Sequence, residues 1–501
     1  MTAVVILGGG TAGWMTACLM ARAWPGAAIT LVESPAIGTI GVGEGSTPQL
    51  RGFFRTLGVD EAEWMPACDA TYKAGISFHG WSREPGFASY FHPFASAIDL
   101  HTQPAFHAAT LARRTGHAVA AHPDGFFLAS RLAAAGRAPT PAATFPFEVG
   151  YGYHFDAGKL GEWLRGHAVA RGVVHRPARV AGVAVDADGQ VRHVILDDGE
   201  TLAADLFVDA SGFRGVIARQ ALNVRFRAFA SNLFCDRAVA IPTPLTGAPA
   251  VQTRATALSC GWAWAIPLTS RIGNGYVYSS RFCSPEAAEA ELRAHLGGTD
   301  APARHLQMDV GRLETTWTGN CLAVGLSQGF IEPLEATALH LVQTTVEAFI
   351  AAWQDAGFTP AGRDAFNARI ARRIEGIRDY IVAHYRMASR DDTDFWRANA
   401  ASDELSDDLK ALMTRWFTGG DVAAEIAARD LGGFYAPMSW EVLFAGYGTF
   451  PDPARLRPAP DPVDRAGIAR LLDGCLANFA DHATALARLG GETLALRAVA
   501  G

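Results

Sequence analysis

The chain has 501 residues, a formal net charge of −7 and a sequence pI near 6.1. With 49% apolar residues it can bury sizeable cores, and this length allows roughly two or three packed units. The acidic balance without a lysine or arginine run argues against nucleic acid or an anionic membrane as partner, and no apolar stretch approaches the roughly 18 residues of a membrane span.

The first strand pattern, Ala3-Val4-Val5-Ile6-Leu7, runs into Gly8-Gly9-Gly10-Thr11-Ala12-Gly13-Trp14 and a helix expected over Trp14–Arg22. A start at Ala3 leaves no room for a charged leader and cleavage site, so no secretory signal is expected. GxGxxG between strand and helix is a dinucleotide fingerprint. Gly8 permits the tight turn, Gly10 lets amides approach a pyrophosphate, and Gly13 lets helix and strand pack closely. Ile29-Thr30-Leu31-Val32-Glu33 reads as the second strand, ending in an acid placed for a ribose diol. A second glycine-rich loop, Gly38-Thr39-Ile40-Gly41-Val42-Gly43-Glu44-Gly45, then leads into Ser46-Thr47-Pro48, which reads as a helix start. A nicotinamide fold has no need of that loop, whereas a long flavin must have its ring system covered; the cofactor expected is FAD.

Only Lys73, Lys159 and Lys410 are lysines, so arginine serves almost wherever a positive charge suffices. Arginine keeps its charge, whereas a desolvated lysine can lose its proton and act as an amine. Lys159 and Lys410 sit in polar helical surroundings, but Lys73 lies in Ala70-Thr71-Tyr72-Lys73-Ala74-Gly75-Ile76-Ser77-Phe78, among aromatic and apolar residues. It is either a reactive amine or a snorkelling lysine on a strand edge.

Residues 75–150, rich in Gly, Pro, Phe and His, suggest an inserted sheet with loops rather than a helical layer. A helix over Ala157–Arg171 follows, then strands near Val173-Val174-His175 and Arg179–Val183, a hairpin turning at Asp197-Asp198-Gly199-Glu200, and a buried strand in Ala204–Gly212. Residues 220–310 add strands such as Gly275–Ser279, and from about 335 onward three- and four-residue apolar spacing predicts helices, as in Phe366–Tyr385. The scattered cysteines, Cys18, Cys68, Cys235, Cys260, Cys283, Cys321 and Cys475, form no CxxC and fit free thiols in a reducing cytoplasm. The histidines show no HExxH or metal-ligand spacing, and no metal is expected.

Asn320–His340 reads as strand, glycine turn and long helix. Gly325–Gly329 spells GxSxG, but a hydrolase elbow needs a helix directly after its serine. Here Pro333 interrupts, and the helix is expected to start near Glu335, leaving the amides of Thr337 and Ala338 as an anion site.

Taken together, GGGTAGW, GVGEGSTP, the Tyr72-Lys73 strand, Trp262-Ala263-Trp264-Ala265-Ile266-Pro267 and Glu332-Pro333-Leu334-Glu335-Ala336-Thr337 resemble, in order and over almost the whole chain, the motifs of flavin-dependent tryptophan halogenases. The resemblance implies an α/β, Rossmann-like FAD-binding fold of the flavin monooxygenase type with an inserted β-sheet and a helical C-terminal region. A discontinuous FAD-binding domain would span 1–350, with substrate-side segments at about 75–150 and 220–310, and the helical region 351–501 would complete the substrate site. It also implies that reduced FAD (FADH2), oxygen and a halide ion yield hypohalous acid, which reaches a separate site through a tunnel. Lys73 matches the lysine that captures or hydrogen-bonds that acid, and Glu335 the glutamate that assists it and helps the arenium intermediate lose its proton. Thr337 and Ala338 match the halide-binding amides. Gly8, Gly10, Thr11, Ala12, Gly13, Glu33, Glu44, Val180, Leu326 and Leu339 match FAD contacts. His92 and Phe94 match residues that sandwich the aromatic substrate. The two tryptophans match a motif that keeps the flavin from acting as a monooxygenase. Glu335 as a helix-cap acid is the alternative.

Two positions depart from the family: where the tryptophan enzymes usually read Glu-Ser-Thr-Gly, this chain has Glu335-Ala336-Thr337-Ala338, which alters the halide pocket without removing its amides and leaves both halides open, chloride and the larger, more easily oxidised bromide. The stretch Gly432–Phe444 is more apolar than the segment with which those enzymes hold free tryptophan, although Tyr435 and Glu441 could supply part of a clamp. An indole without a zwitterion, or a larger indole-bearing molecule, is therefore the expected substrate. No second nucleotide fingerprint is present, so a separate NAD(P)H-dependent flavin reductase is the expected partner; a homodimer is compatible with the sequence. The rival readings are a flavin monooxygenase, hydroxylating or epoxidising, and a non-catalytic FAD-binding protein.

Overall fold

The computed structural model describes residues 2–36, 38, 43–433 and 435–490. Thr39–Val42 of the second glycine-rich loop, and Phe434, lie outside the described residues. The chain divides into two units, one made of 1–69, 155–230 and 307–375, the other of 70–154, 231–306 and 376–501.

The first unit is built on Ala3–Leu7, whose uninterrupted apolar run suits a strand buried on both faces. It pairs in parallel with Ala28–Glu33 on one side and Leu206–Asp209 on the other. Val174–Pro177 and Cys321–Ala323 extend the parallel sheet outward, and Trp317–Thr318 closes one edge antiparallel. The helix Thr11–Ala23 packs on the helices Ala157–Val169 and Ala338–Asp355. The expected hairpin is present as Val191–Leu196 against Thr201–Ala203, with Val180–Val185 on its other side. Val191, Val194 and Leu196 join Val5, Leu7, Val32 and Phe207 in one core cluster.

In the second unit the strands lie in the order Arg237–Ala240, Ile272–Tyr278, Gly261–Pro267, Gln252–Leu258, Gly75–His79 and Ser89–Pro93. Their pairings are antiparallel except that of Gln252–Leu258 with Gly75–His79. Trp262 and Trp264 are both buried, and Trp264 lies across its register partner Gly275, where a Cβ would fall 2.1 Å from the indole ring. A side chain at 275 would displace that ring. The 75–150 segment is not only sheet and loops, because the helices Gln103–Arg114 and Leu128–Ala134 occur within it. Their inward residues Phe106, Ala109, Thr110, Leu128 and Leu132 do follow helical spacing, but over runs shortened by flanking Gly and Pro. Arg363–Met387 is a long helix, as the spacing predicts, and much of the remaining C-terminal part is helical. All seven cysteines are free thiols, and no helix among the described residues is long and apolar enough to cross a membrane.

Candidate active site

In the first unit the helix begins at Thr11, three residues before the expected start at Trp14, because Gly10 is its N-cap. No side chain caps that end and no acid occupies its first turn, so the amides of Thr11, Ala12 and Gly13 remain for an outside acceptor. Gly8 has φ +117°, and a Cβ on it would fall 2.2 Å from the Ala210 carbonyl oxygen. A Cβ on Gly13 would fall 1.9 Å from the Gly8 oxygen, whereas one on Gly10 would meet nothing within 4 Å. Two glycines thus close the turn on itself, and the third opens it outward where a pyrophosphate would lie. Glu33 folds over Gly9, whose Cβ would fall 2.0 Å from Glu33 Cδ, and its carboxylate pairs with His175 at 3.1 Å. This cradle fits the dinucleotide part of FAD.

Four other expected flavin contacts also belong to this unit. Gly325, at φ +62°, approaches Ala12 so closely that a Cβ would fall 2.7 Å from the alanine methyl, which sets Leu326 beside the glycine turn. Leu339 lies in the first turn of Ala338–Asp355, and Val180 opens the meander opposite Leu196. Glu44 retains some accessible surface, yet the protein packed around its carboxyl, with Asp156 nearby, raises its pKa to about 7.

The segment bearing Glu335 differs from expectation. Pro333–Glu335 form a 3-10 turn, Ala336 is left-handed at φ 56°, Thr337 is the N-cap, and the helix starts at Ala338. The proline and the left-handed residue break the helical hydrogen-bond ladder ahead of residue 338. Glu335 is therefore not a first-turn acid of that helix, and the helix-cap alternative falls. The amide of Ala338 stands at the helix N-terminus, with Thr337 as its N-cap, in keeping with an anion site. Glu335 and Glu332 are both buried.

Sequence reading also left the role of Asp209 unassigned. Buried at the tip of Leu206–Asp209, it accepts hydrogen bonds from the Ser211 amide and hydroxyl at 3.0 and 2.6 Å and from the Ile217 and Ala218 amides, both at 2.8 Å. Ser327 of GxSxG points its hydroxyl at Asp209 and the Gly212 carbonyl, 3.1 Å from each. Its place is thus structural, as a clamp between two turns. The only signal in the sequence was one acid ending an apolar strand before Ala-Ser-Gly.

In the second unit Lys73 ends the strand Thr71–Lys73 and has no solvent exposure, which removes the snorkelling alternative. Its Nζ lies 5.3 Å from the centre of the Phe94 ring. By contrast Lys159 is half-exposed in a 2.7 Å ion pair with Asp69, and Lys410 is exposed. His92, two residues before Phe94, is buried with its Nε2 2.9 Å from the Tyr380 hydroxyl. That hydroxyl donates to the Ser439 carbonyl at 2.9 Å, so His92 Nε2 carries the proton of the pair. The His92 Nδ1 lone pair then has no hydrogen-bond partner among the described residues. Tyr435 stacks on Tyr380 at 3.6 Å between ring centres, and Trp440 meets Tyr380 edge-on. Glu441 is buried on the helix Pro437–Gly446 and pairs with His107 at 2.7 Å, which raises the histidine's pKa. The structure therefore gathers Lys73, His92 and Phe94 in one unit, and Glu335, Thr337, Ala338 and the expected flavin contacts in the other.

A family model described as tryptophan halogenase matches residues 3–460. The tryptophan 6-halogenase SttH of Streptomyces toxytricini is 39% identical over 82% of this chain and 83% of its own length. The tryptophan 7-halogenase RebH of Lentzea aerocolonigenes is 33% identical over 92% of this chain and 91% of its own. Among solved structures, the flavin-dependent halogenase BrvH from Brevundimonas sp. BAL3 superposes with a TM-score of 0.80 at 35% identity, covering 98% of this chain and 99% of its own.

Proposed function

The chain belongs to the tryptophan halogenase family, and from that premise we propose that it is a bromide-preferring halogenase of indole-type aromatics in which Lys73 delivers the halogen. The observation that carries the reading is Lys73 itself, one of three lysines in the chain and wholly buried, with its amine over the Phe94 ring. The chemistry supplied by reduced FAD when bound is the activation of oxygen that converts halide to hypohalous acid. Gly8, Gly10, Thr11, Ala12, Gly13 and Glu33 hold its dinucleotide part, with Glu44, Val180, Leu326 and Leu339 as further contacts. The reduced form comes from a separate NAD(P)H-dependent flavin reductase.

The Thr337 and Ala338 amides hold the halide ion. The added methyl at Ala338 and the lost hydroxyl at Ala336 favour bromide, the more easily oxidised ion. Lys73 receives hypohalous acid by hydrogen bonding or capture at Nζ and presents the halogen to a ring held between His92 and Phe94. The ring carbon attacks the electrophilic halogen as the halogen–oxygen bond breaks and hydroxide leaves to form water, or, after capture, as the halogen–nitrogen bond breaks and returns the Lys73 amine; Glu335 helps remove the proton that the arenium must lose. A zwitterionic substrate would need partners for both charges, and Glu441, the acid in the 432–444 stretch, is already paired with His107. A neutral indole, or a larger molecule whose polar part stays in solvent, avoids that desolvation.

The test is incubation with a flavin reductase, NADH, FAD, oxygen and bromide or chloride, with indole and L-tryptophan in competition, read by product isotope pattern. Brominated indole in excess is expected. A clear preference for L-tryptophan overturns the substrate reading, and oxygenated products without halogen favour a monooxygenase. Flavin binding without halide-dependent product marks a non-catalytic protein.

A further inference from the structure

Thr71–Lys73 is a three-residue strand, and its antiparallel neighbours are Gly152–His154, with Thr71 opposite His154, Tyr72 opposite Tyr153 and Lys73 opposite Gly152. So short a strand is held by few ladder bonds, and a buried amide on it must find another acceptor. Tyr72 is 3% exposed, and its amide donates to Nε2 of His482, 3.2 Å away and 410 positions along the chain.

The tautomer of His482 follows from its other bond. Nδ1 lies 2.7 Å from the Pro249 carbonyl, which can only accept, so Nδ1 carries the proton and Nε2 keeps the lone pair that Tyr72 needs. Its backbone amide donates to Gly136 O at 3.0 Å, so the residue is fixed at three points. The strand Phe479–Asp481 that precedes it is tied to Arg137–Pro141, with Arg137 bonded to the Phe479 carbonyl at 3.1 Å and paired with Asp481 at 3.4 Å. Burial lowers the His482 pKa to about 4, which keeps the ring neutral and its acceptor in place.

Thr71 is held by a second histidine. Thr71 Oγ1 donates to the Pro267 carbonyl at 2.7 Å, so His154 Nδ1 donates to Thr71 at 3.0 Å and its Nε2 accepts from Thr253 at 3.0 Å. The two residues before Lys73 are thus held by two neutral, buried rings. Of these, His154 belongs to the neighbouring strand, whereas His482 follows the strand Phe479–Asp481 and also lays its ring against that of Tyr72, 6.2 Å between centres.

We propose that His482 is a positioning residue for Lys73: its imidazole stands in for a missing strand at the Tyr72 amide and fixes where the lysine amine presents the halogen. The inference rests on Lys73 being the delivering amine. A displacement of about 1 Å at a reacting group costs up to roughly 100-fold in rate, so even a partial loosening of this strand reaches the chemistry.

His482→Phe removes both ring bonds at similar size, whereas His482→Gln keeps an acceptor and a donor on one side chain. In the full enzyme supplied with reduced FAD and bromide, His482→Phe should lower halogenation kcat by about tenfold or more, with the indole KM and FAD affinity within about twofold. Flavin oxidation should continue, with the missing product recovered as free hypohalous acid in a chemical trap, and His482→Gln should restore most of the product yield per flavin oxidised. An unchanged yield in His482→Phe overturns the inference. So does a Gln variant no better than Phe, or a loss of kcat, KM, FAD affinity and thermal stability together, which is the mark of a merely structural residue. Lys73→Arg measured in parallel separates the two claims: if it retains turnover, the reading of Lys73 fails, whereas an inactive Lys73→Arg beside a fully coupled His482→Phe leaves that reading and removes only the positioning role.

Discussion

Lys73 and Glu335 stand on opposite kinds of backbone. The lysine ends a strand in ordinary extended conformation whose neighbours are clamped by His154 and His482, rings that arrive from distant parts of the chain. The glutamate stands on a turn made by its own neighbours, with Pro333 before it and left-handed Ala336 after it. One group is placed by remote hydrogen bonds and the other by local strain. A change of solution conditions should therefore disturb the first, and a change of local sequence the second.

The sharpest break in that comparison is at the two proposed reacting groups themselves. Lys73→Arg and Lys73→Ala should both abolish halogenation while FAD binding, followed by fluorescence titration, is retained; near-normal turnover in the arginine variant would make the role electrostatic. Glu335→Gln should slow product formation by about 10²–10⁴-fold, the usual worth of a positioned acid or base. Flavin oxidation should keep its rate, and equal loss in both steps would indicate a cofactor defect.

The remote clamp should show in stability against pH. The His482 ring has its pKa lowered from 6.5 to about 4 in the folded protein, so between those values the unfolded chain binds more protons and stability falls as pH falls. Over that window the loss is roughly 3 kcal/mol, and His482→Gln should flatten the urea-unfolding profile there. The local strain is the smallest effect. A left-handed alanine costs about 1 kcal/mol relative to glycine, so Ala336→Gly should leave the turn in place and raise stability slightly; a loss would show that the methyl is packed.

The same contrast explains what could be read from the chain. The glycine turn was legible because each glycine answers a local demand, and Gly8, Gly10 and Gly13 meet those demands in space. Lys73 stood out because the composition makes lysine rare. The helix start near Glu335 was misplaced because a left-handed alanine leaves no mark in a sequence, where glycine would have announced it. His482 was invisible, since a lone histidine near the end of the chain carries no spacing that links it to Tyr72. Asp209 was passed over for the same reason: the five hydrogen bonds to its carboxylate come from turns at 211–218 and 327 that only the fold brings together.

The 410-residue span between Tyr72 and His482 sets an order of events during synthesis. At about 5–20 residues per second, tens of seconds separate their emergence from the ribosome. Throughout that interval the glycine turn and its first strand pair can already form, while the lysine strand waits without its edge acceptor. A ribosome that stalls or terminates before residue 482 would release a chain that carries the whole glycine turn but lacks the acceptor of the Tyr72 amide.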